Sequence, residues 1–179
     1  MLKIGLTGSI GMGKTETGKI FSELGLPLYD ADATVHKLYG PGQKGSEKIK
    51  EKFPNSINPD GSVNRESLSA EVLGDPEKIK SLESIIHPLV GKDREVFFEK
   101  NAKAKAIVLD IPLLFETGGE KFVDIVIVVD APRKIQEERV LSRPNMTKEK
   151  FENIMAQQIP NNVKKEKADF IIDLSLIHI

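Results

Sequence analysis

Gly8-Ser9-Ile10-Gly11-Met12-Gly13-Lys14-Thr15 fits G-x-x-x-x-G-K-[ST], the pattern of a loop that cradles nucleotide phosphates. Glycines let successive backbone N–H groups converge on one concavity, and such a nest holds phosphate oxygens. Lys14 adds a point charge near the β- and γ-phosphates, and the Thr15 hydroxyl can sit on Mg²⁺. The flanks supply the context the motif needs. Leu2–Thr7 reads as a short buried strand. Glu16–Leu24 carries Ile20, Phe21 and Leu24 at helical spacing, and a helix N-terminus favours an anion. Gly8, Gly11, Met12, Gly13, Lys14, Thr15 and Glu16 are therefore the candidate nucleotide-binding residues. A merely structural glycine turn is the bland alternative. A dinucleotide fingerprint fits poorly, because a G-x-G begun at Gly11 places its third glycine at Glu16.

Working outward, short β-type runs recur at 3–7, 27–29, 106–109, 124–129 and 170–172, separated by helical stretches. Strand alternating with helix predicts an α/β domain around a mostly parallel five-stranded sheet. The β-branched block Val126–Val129 suits a strand covered on both faces. Ligands of such sheets bind beyond the carboxyl ends of the strands. The glycine loop, Asp30 with Asp32, Asp110 and Asp130 are the groups expected there. Helical patterns at 31–39, 45–53, 65–72 and 76–102 fill the gap between the second and third strands, too long for a structureless loop. They predict a helical subdomain inserted at about 31–103 in a single domain of 1–173.

The 179 residues include 26 Lys and Arg against 27 Asp and Glu, a net charge of −1. That balance gives no basic field for nucleic acid or an anionic membrane. With no cysteine, disulfides and thiolate metal sites are ruled out and a reducing, cytoplasmic setting is expected. The longest apolar run, Ile125–Val129, is far too short for a membrane span. Oligomeric state is left open.

Asp30-Ala31-Asp32 follows the second strand. A carboxylate there can orient an attacking hydroxyl or cap the next helix; Asp30 is assigned mainly to structure and Asp32 to chemistry. Lys14, Arg139 and Arg143 are the candidate phosphate cations. A helix over 136–143 would place both guanidiniums on one face, where either a shared phosphate or salt bridges would relieve their repulsion. Pro144-Asn145-Met146 then breaks the chain before a helix capped by Thr147, so a small lid is expected at about 139–150. Asp110, at a strand end, fits a carboxylate that holds magnesium-bound water, and with Thr15 forms the expected metal site. Glu116 can cap or pair locally. His87, in the helical insert, is open to either a structural or a chemical role.

Together these residues resemble the dephospho-coenzyme A kinase family. The glycine loop over Thr7–Thr15, Asp30-Ala31-Asp32, His87-Pro88-Leu89, Pro112-Leu113-Leu114-Phe115-Glu116, Ala156-Gln157-Gln158-Ile159-Pro160 and Ala168-Asp169-Phe170-Ile171-Ile172-Asp173 match its elements in order. The resemblance implies an adenylate-kinase-like core: a three-layer P-loop kinase with an acceptor subdomain and a lid. It implies ATP-dependent phosphorylation of the ribose 3′-hydroxyl of dephospho-coenzyme A, with Mg²⁺. Lys14, Asp32, Arg139 and Arg143 would then be catalytic, and Asp32, His87, Leu113 and Leu114 would face the acceptor. A kinase of another small hydroxyl or nucleoside monophosphate is the rival enzyme. A nucleotide-dependent switch is the rival of another class, and the guanine-reading N-K-x-D element it would need is absent from the sequence.

The sequence departs from the family pattern in places. Pro144 stands where Asp is common, Met12 where Ser is frequent, and Lys165 where Arg is common. After Asp173 the family continues with a polar turn and a final helix, whereas this sequence reads Leu174-Ser175-Leu176-Ile177-His178-Ile179. Those six residues are the translation of CTG TCT CTT ATA CAC ATC, a transposon end used in preparing sequencing libraries. The expectation is that residues 174–179 derive from adapter read-through and that His178 is no site.

Overall fold

The computed structural model describes residues 1–175; Leu176–Ile179, and with them His178, lie outside the described residues. β1 (Leu2–Thr7), β2 (Leu28–Asp30), β3 (Ala106–Asp110), β4 (Ile125–Asp130) and β5 (Phe170–Asp173) form one sheet in the order β2-β3-β1-β4-β5. The sheet is parallel throughout. β1 lies between β3 and β4. The chain leaves β1 toward one edge and returns across it between β3 and β4, so the topological switch falls at the carboxyl end of β1. That is where the glycine loop begins.

Alternation along the strands explains the covering of both sheet faces. Ile4, Leu6, Val108, Ile127 and Val129 share one core with Phe21 of α1 (Lys14–Glu23) and Ile135 of α6 (Arg133–Leu141). Val126 and Val128 point the other way, toward Leu114, Phe115, Ile159 and Ala168. Each fully buried side chain of this kind contributes about 1.5–3 kcal/mol. The three-layer α/β architecture follows. α7 (Lys148–Gln157) and α8 (Asn161–Glu166) complete the connection to β5.

The chain divides into two compact units, Met1–Asp30 with Asn101–Ile179, and Ala31–Lys100. The second unit contains α2 (Ala31–Leu38), α3 (Lys44–Lys52), α4 (Arg65–Val72) and α5 (Pro76–Lys100). It has its own core of Ile49, Phe53, Val63, Leu68 and Ile86. Local side chains start two of its helices. Asn64 Oδ1 accepts from Ser67 N at 3.0 Å ahead of α4, and Asp75 Oδ1 accepts from Glu77 N and Lys78 N ahead of α5. Among the described residues no helix is long and apolar enough to cross a membrane.

Candidate active site

The glycine loop is shaped by close approach. Gly11 has φ of 79°, and a Cβ there would lie 2.5 Å from Val140 Cγ2 and 3.0 Å from Gln136 O. Gly13 has φ of 98° at the start of α1, and a Cβ there would lie 2.5 Å from Leu174 Cδ1. Both positions combine a left-handed backbone with no room for a side chain. No side chain caps α1. Its first N–H donors belong to Lys14 and Thr15, whose intrahelical partners are missing by construction, and a phosphate is the natural acceptor there. Met12 presents neither donor nor side chain to such a ligand. Its N–H closes a turn on Ser9 O at 3.2 Å, and its side chain is buried in the core, where Sδ accepts from Ala131 N. Glu16 pairs with Lys19 at 2.7 Å on the solvent side, a contact of little energetic weight.

Lys14 Nζ and the Asp110 carboxylate form an ion pair at the carboxyl end of the sheet. Asp110 is 3% exposed, so its charge requires such a partner. Parallel register brings Asp30 beside it on β2. Thr15 and Asp110 supply one hydroxyl and one carboxylate. Among the described residues no group of three or more His, Cys, Asp or Glu could cage a metal. This donor set fits Mg²⁺, which keeps most of its waters and binds through one or two carboxylates together with substrate phosphates.

The arginines differ from expectation. α6 spans Arg133–Leu141, not 136–143, so Arg143 falls in the following turn. Pro144 explains the early end, because a residue preceding proline is pushed out of the helical region. Arg143 is exposed. Arg139 remains on α6, where Nη2 reaches Leu174 O at 3.4 Å and Nη1 is buried with no partner among the described residues. A Cβ on Gly13 would lie 3.6 Å from that Nη1. The salt bridges considered for Arg139 do not form among the described residues. A cation with a spare donor thus stands beside the phosphate loop. Leu174, at the first position of the unusual ending, is 4% exposed and packs in the core beside Met12.

Comparison with known proteins shows the family. The family model for dephospho-CoA kinase matches residues 2–176. The chain belongs to the dephospho-CoA kinase family. It is 50% identical over 178 residues to a dephospho-CoA kinase of Brucella melitensis, covering 98% of this chain and 87% of that protein. It is 50% identical over 174 residues to one from Bradyrhizobium diazoefficiens, covering 96% and 86%. Among solved structures, a Thermus thermophilus protein superimposes with a TM-score of 0.85 at 30% identity, over 97% of this chain and 88% of the other. A dephospho-CoA kinase from Campylobacter jejuni gives 0.65 at 26%, over 98% and 89%. A shikimate kinase from Acinetobacter baumannii, at 0.55 and 19% over 99% and 86%, shares the fold.

The acceptor candidates of this dephospho-CoA kinase family member fall in different settings. Leu113 is 42% exposed, but Leu114 is 0% exposed and sits in the core with Phe115 and Val126, so its side chain has no surface to offer a ligand. In the inserted unit, Asp32 lies exposed in the first turn of α2, where the helix dipole favours a carboxylate. Asp30 closes β2 immediately before that helix. His87 is exposed on α5, and Pro88 follows inside the helix, where it cannot donate a helix bond.

Several polar residues around the loop escaped sequence reasoning. Gln136, Gln158, Asn161 and Lys164 carry no periodicity, and of the four only Gln158 falls within the Ala156–Pro160 element. Lys164 is fully buried, bonding Glu116 Oε1 at 2.8 Å and Pro112 O at 3.4 Å; Ile159 N adds 2.9 Å to the same carboxylate oxygen. Burial raises the Glu116 carboxyl. The hydrogen bond from Lys164, backbone donors and the lysine charge outweigh it and hold the group below the usual carboxylate range. Glu116 is thus the internal anchor of the 112–116 loop. Asp130 is likewise engaged, with Lys165 at 2.5 Å and Asn161 Nδ2 at 2.7 Å.

Proposed function

We propose that this chain transfers the γ-phosphoryl group of ATP to the ribose 3′-hydroxyl of dephospho-CoA, yielding CoA and ADP. The observation that carries the reading is a phosphate loop with Lys14 poised against Asp110 at the topological switch, in a chain matched over residues 2–176 by this family. Gly11, Gly13 and the α1 N-terminus bind the phosphate chain. Lys14 exchanges its bond to Asp110 for phosphate oxygens, and Arg139 Nη1 meets charge on the transferring group. Arg143, in the adjoining turn, adds to that field. Phosphoryl transfer asks the protein mainly for positioning and electrostatic stabilisation, and those groups supply both. Asp32 accepts the hydrogen bond of the attacking hydroxyl, and Leu113 and His87 contact the acceptor. This division of roles rests on the family motif. Thr15 and Asp110 would hold Mg²⁺, which when bound neutralises phosphate charge. The partners are then two small molecules, reacting in the cytoplasm.

The test is ADP release, measured with dephospho-CoA and with a panel of other hydroxyl acceptors, including nucleoside monophosphates and shikimate. Mass spectrometry of the product locates the phosphate. Release that is fastest with dephospho-CoA and forms CoA is expected. Release no faster than with the other acceptors overturns the assignment.

A further inference from the structure

The first residues of the glycine loop are held from outside by side-chain amides. Ser9 N and Ser9 Oγ both donate to Asn161 Oδ1 at 3.1 Å. Asn161 Nδ2 donates in turn to Asp130 Oδ1 at 2.7 Å and Val129 O at 3.3 Å. Ile10 N donates to Gln158 Oε1 at 3.0 Å, and Ile10 O accepts from Gln136 Nε2 at 2.7 Å. Ser9, Gln136 and Asn161 are all buried, at 1%, 1% and 8% exposure. Such groups are costly to leave unpaired, so the arrangement is strongly specified.

Its placement in the chain matters. Gln136 lies on α6, three residues before Arg139, and Gln158 directly follows α7. The segment that carries Arg139 and Arg143 therefore begins and ends on the two polar groups of Ile10. We propose that Gln158, with Gln136 and Asn161, is a positioning residue: its grip on Ile10 sets the phosphate loop against the arginine-bearing segment. The inference rests on the reading of the chain as an ATP-dependent phosphotransferase and extends it to residues outside the phosphate nest. Ser9 and Ile10 offer their groups away to these amides, while the donors at the start of α1 are left for phosphate. A loop displaced by 1 Å can lose on the order of 10²-fold in rate, so a tether of this kind controls both binding and turnover.

Three substitutions separate positioning from bulk stability. Gln158→Leu removes the acceptor. Gln158→Asn keeps the amide but withdraws it by one methylene. Gln158→Glu keeps an acceptor at full reach. Mg-ATP affinity is measured by calorimetry without acceptor, alongside kcat and KM with dephospho-CoA and thermal melts. Because the calorimetry needs no acceptor, failure of the dephospho-CoA assignment would leave this readout intact. Gln158→Leu and Gln158→Asn should weaken Mg-ATP by roughly tenfold and lower kcat by at least as much, with the KM for dephospho-CoA within about twofold. Gln158→Glu should recover most of both losses. Wild-type Mg-ATP affinity and kcat in folded Gln158→Leu overturn the proposal. So does a Gln158→Glu as impaired as Gln158→Leu, or a loss confined to the melting temperature.

Discussion

Lys14 and Asp110 hold one another at the end of the sheet, and each explains why the other can be charged there. Removing one partner of a buried pair costs about 3–5 kcal/mol, because the remaining charge is left uncompensated. Lys14→Ala should therefore lose stability in that range and turnover by at least about 10²-fold, the cost of one preorganised electrostatic group. Adding Asp110→Asn should restore much of the stability and none of the turnover, as read by denaturant unfolding and ADP release. Full turnover in folded Lys14→Ala would remove the loop from the chemistry. Glu116 poses a pH question of the same kind. Its folded carboxyl is held below the usual range, so its stabilising contribution is complete above the unfolded carboxylate pKa. That contribution fades as pH falls through the folded value. Glu116→Gln should flatten the acid limb of the stability profile, and an unchanged limb would show that Lys164 is balanced by other groups.

At the scale of elements, α6 and α7 divide the work of the arginine segment. Thr147 Oγ1 accepts from Lys150 N at 3.2 Å and starts α7, so Thr147→Ala should cost about 1 kcal/mol with little change in chemistry. Arg139→Ala should lower kcat far more than ATP affinity, because charge on the transferring group grows in the transition state. Where arginine fingers act, such losses reach roughly 10³–10⁵. Equal losses in both quantities would make Arg139 a ground-state binder. Much of this layout was legible in the sequence. The glycine loop and five strands announced themselves through φ-demanding glycines and β-branched runs, and each strand end falls within about one residue of its expected place. The end of α6 was misjudged because the restriction imposed by Pro144 on Arg143 was given too little weight. Leu114 was read from its motif as a contact residue, although an apolar residue next to an exposed Leu113 can equally point inward. The contacts of Gln136, Gln158 and Asn161 with the loop were invisible for a different reason. Side-chain amides that serve distant backbone groups follow no period, and only the folded chain brings residues 9 and 161 together.

For the whole molecule, the decisive feature is that two compact units are strung on one chain. The sheet unit is discontinuous in sequence, and Ala31–Lys100 packs around Ile49, Phe53 and Leu68 by itself. An inserted segment adds little to the entropy of closing the sheet unit, since that cost grows only with the logarithm of length. A ligand protects whatever must unfold with its site. At about 100 times its Kd it adds roughly 2.7 kcal/mol, which slows exchange through that unfolding about 100-fold. The phosphate loop, Asp110 and Arg139 all belong to the sheet unit. Mg-ATP alone should therefore slow hydrogen exchange at the amides of Leu6, Val108 and Val128, and leave those of Ile49 and Leu68 much less affected. Dephospho-CoA should extend protection into the inserted unit if Asp32 and His87 face the acceptor. Hydrogen exchange followed by mass spectrometry separates the two segments directly. Equal protection of both by Mg-ATP alone would mean that the two units unfold as one cooperative body. The insert would then share the stability of the sheet rather than possess its own.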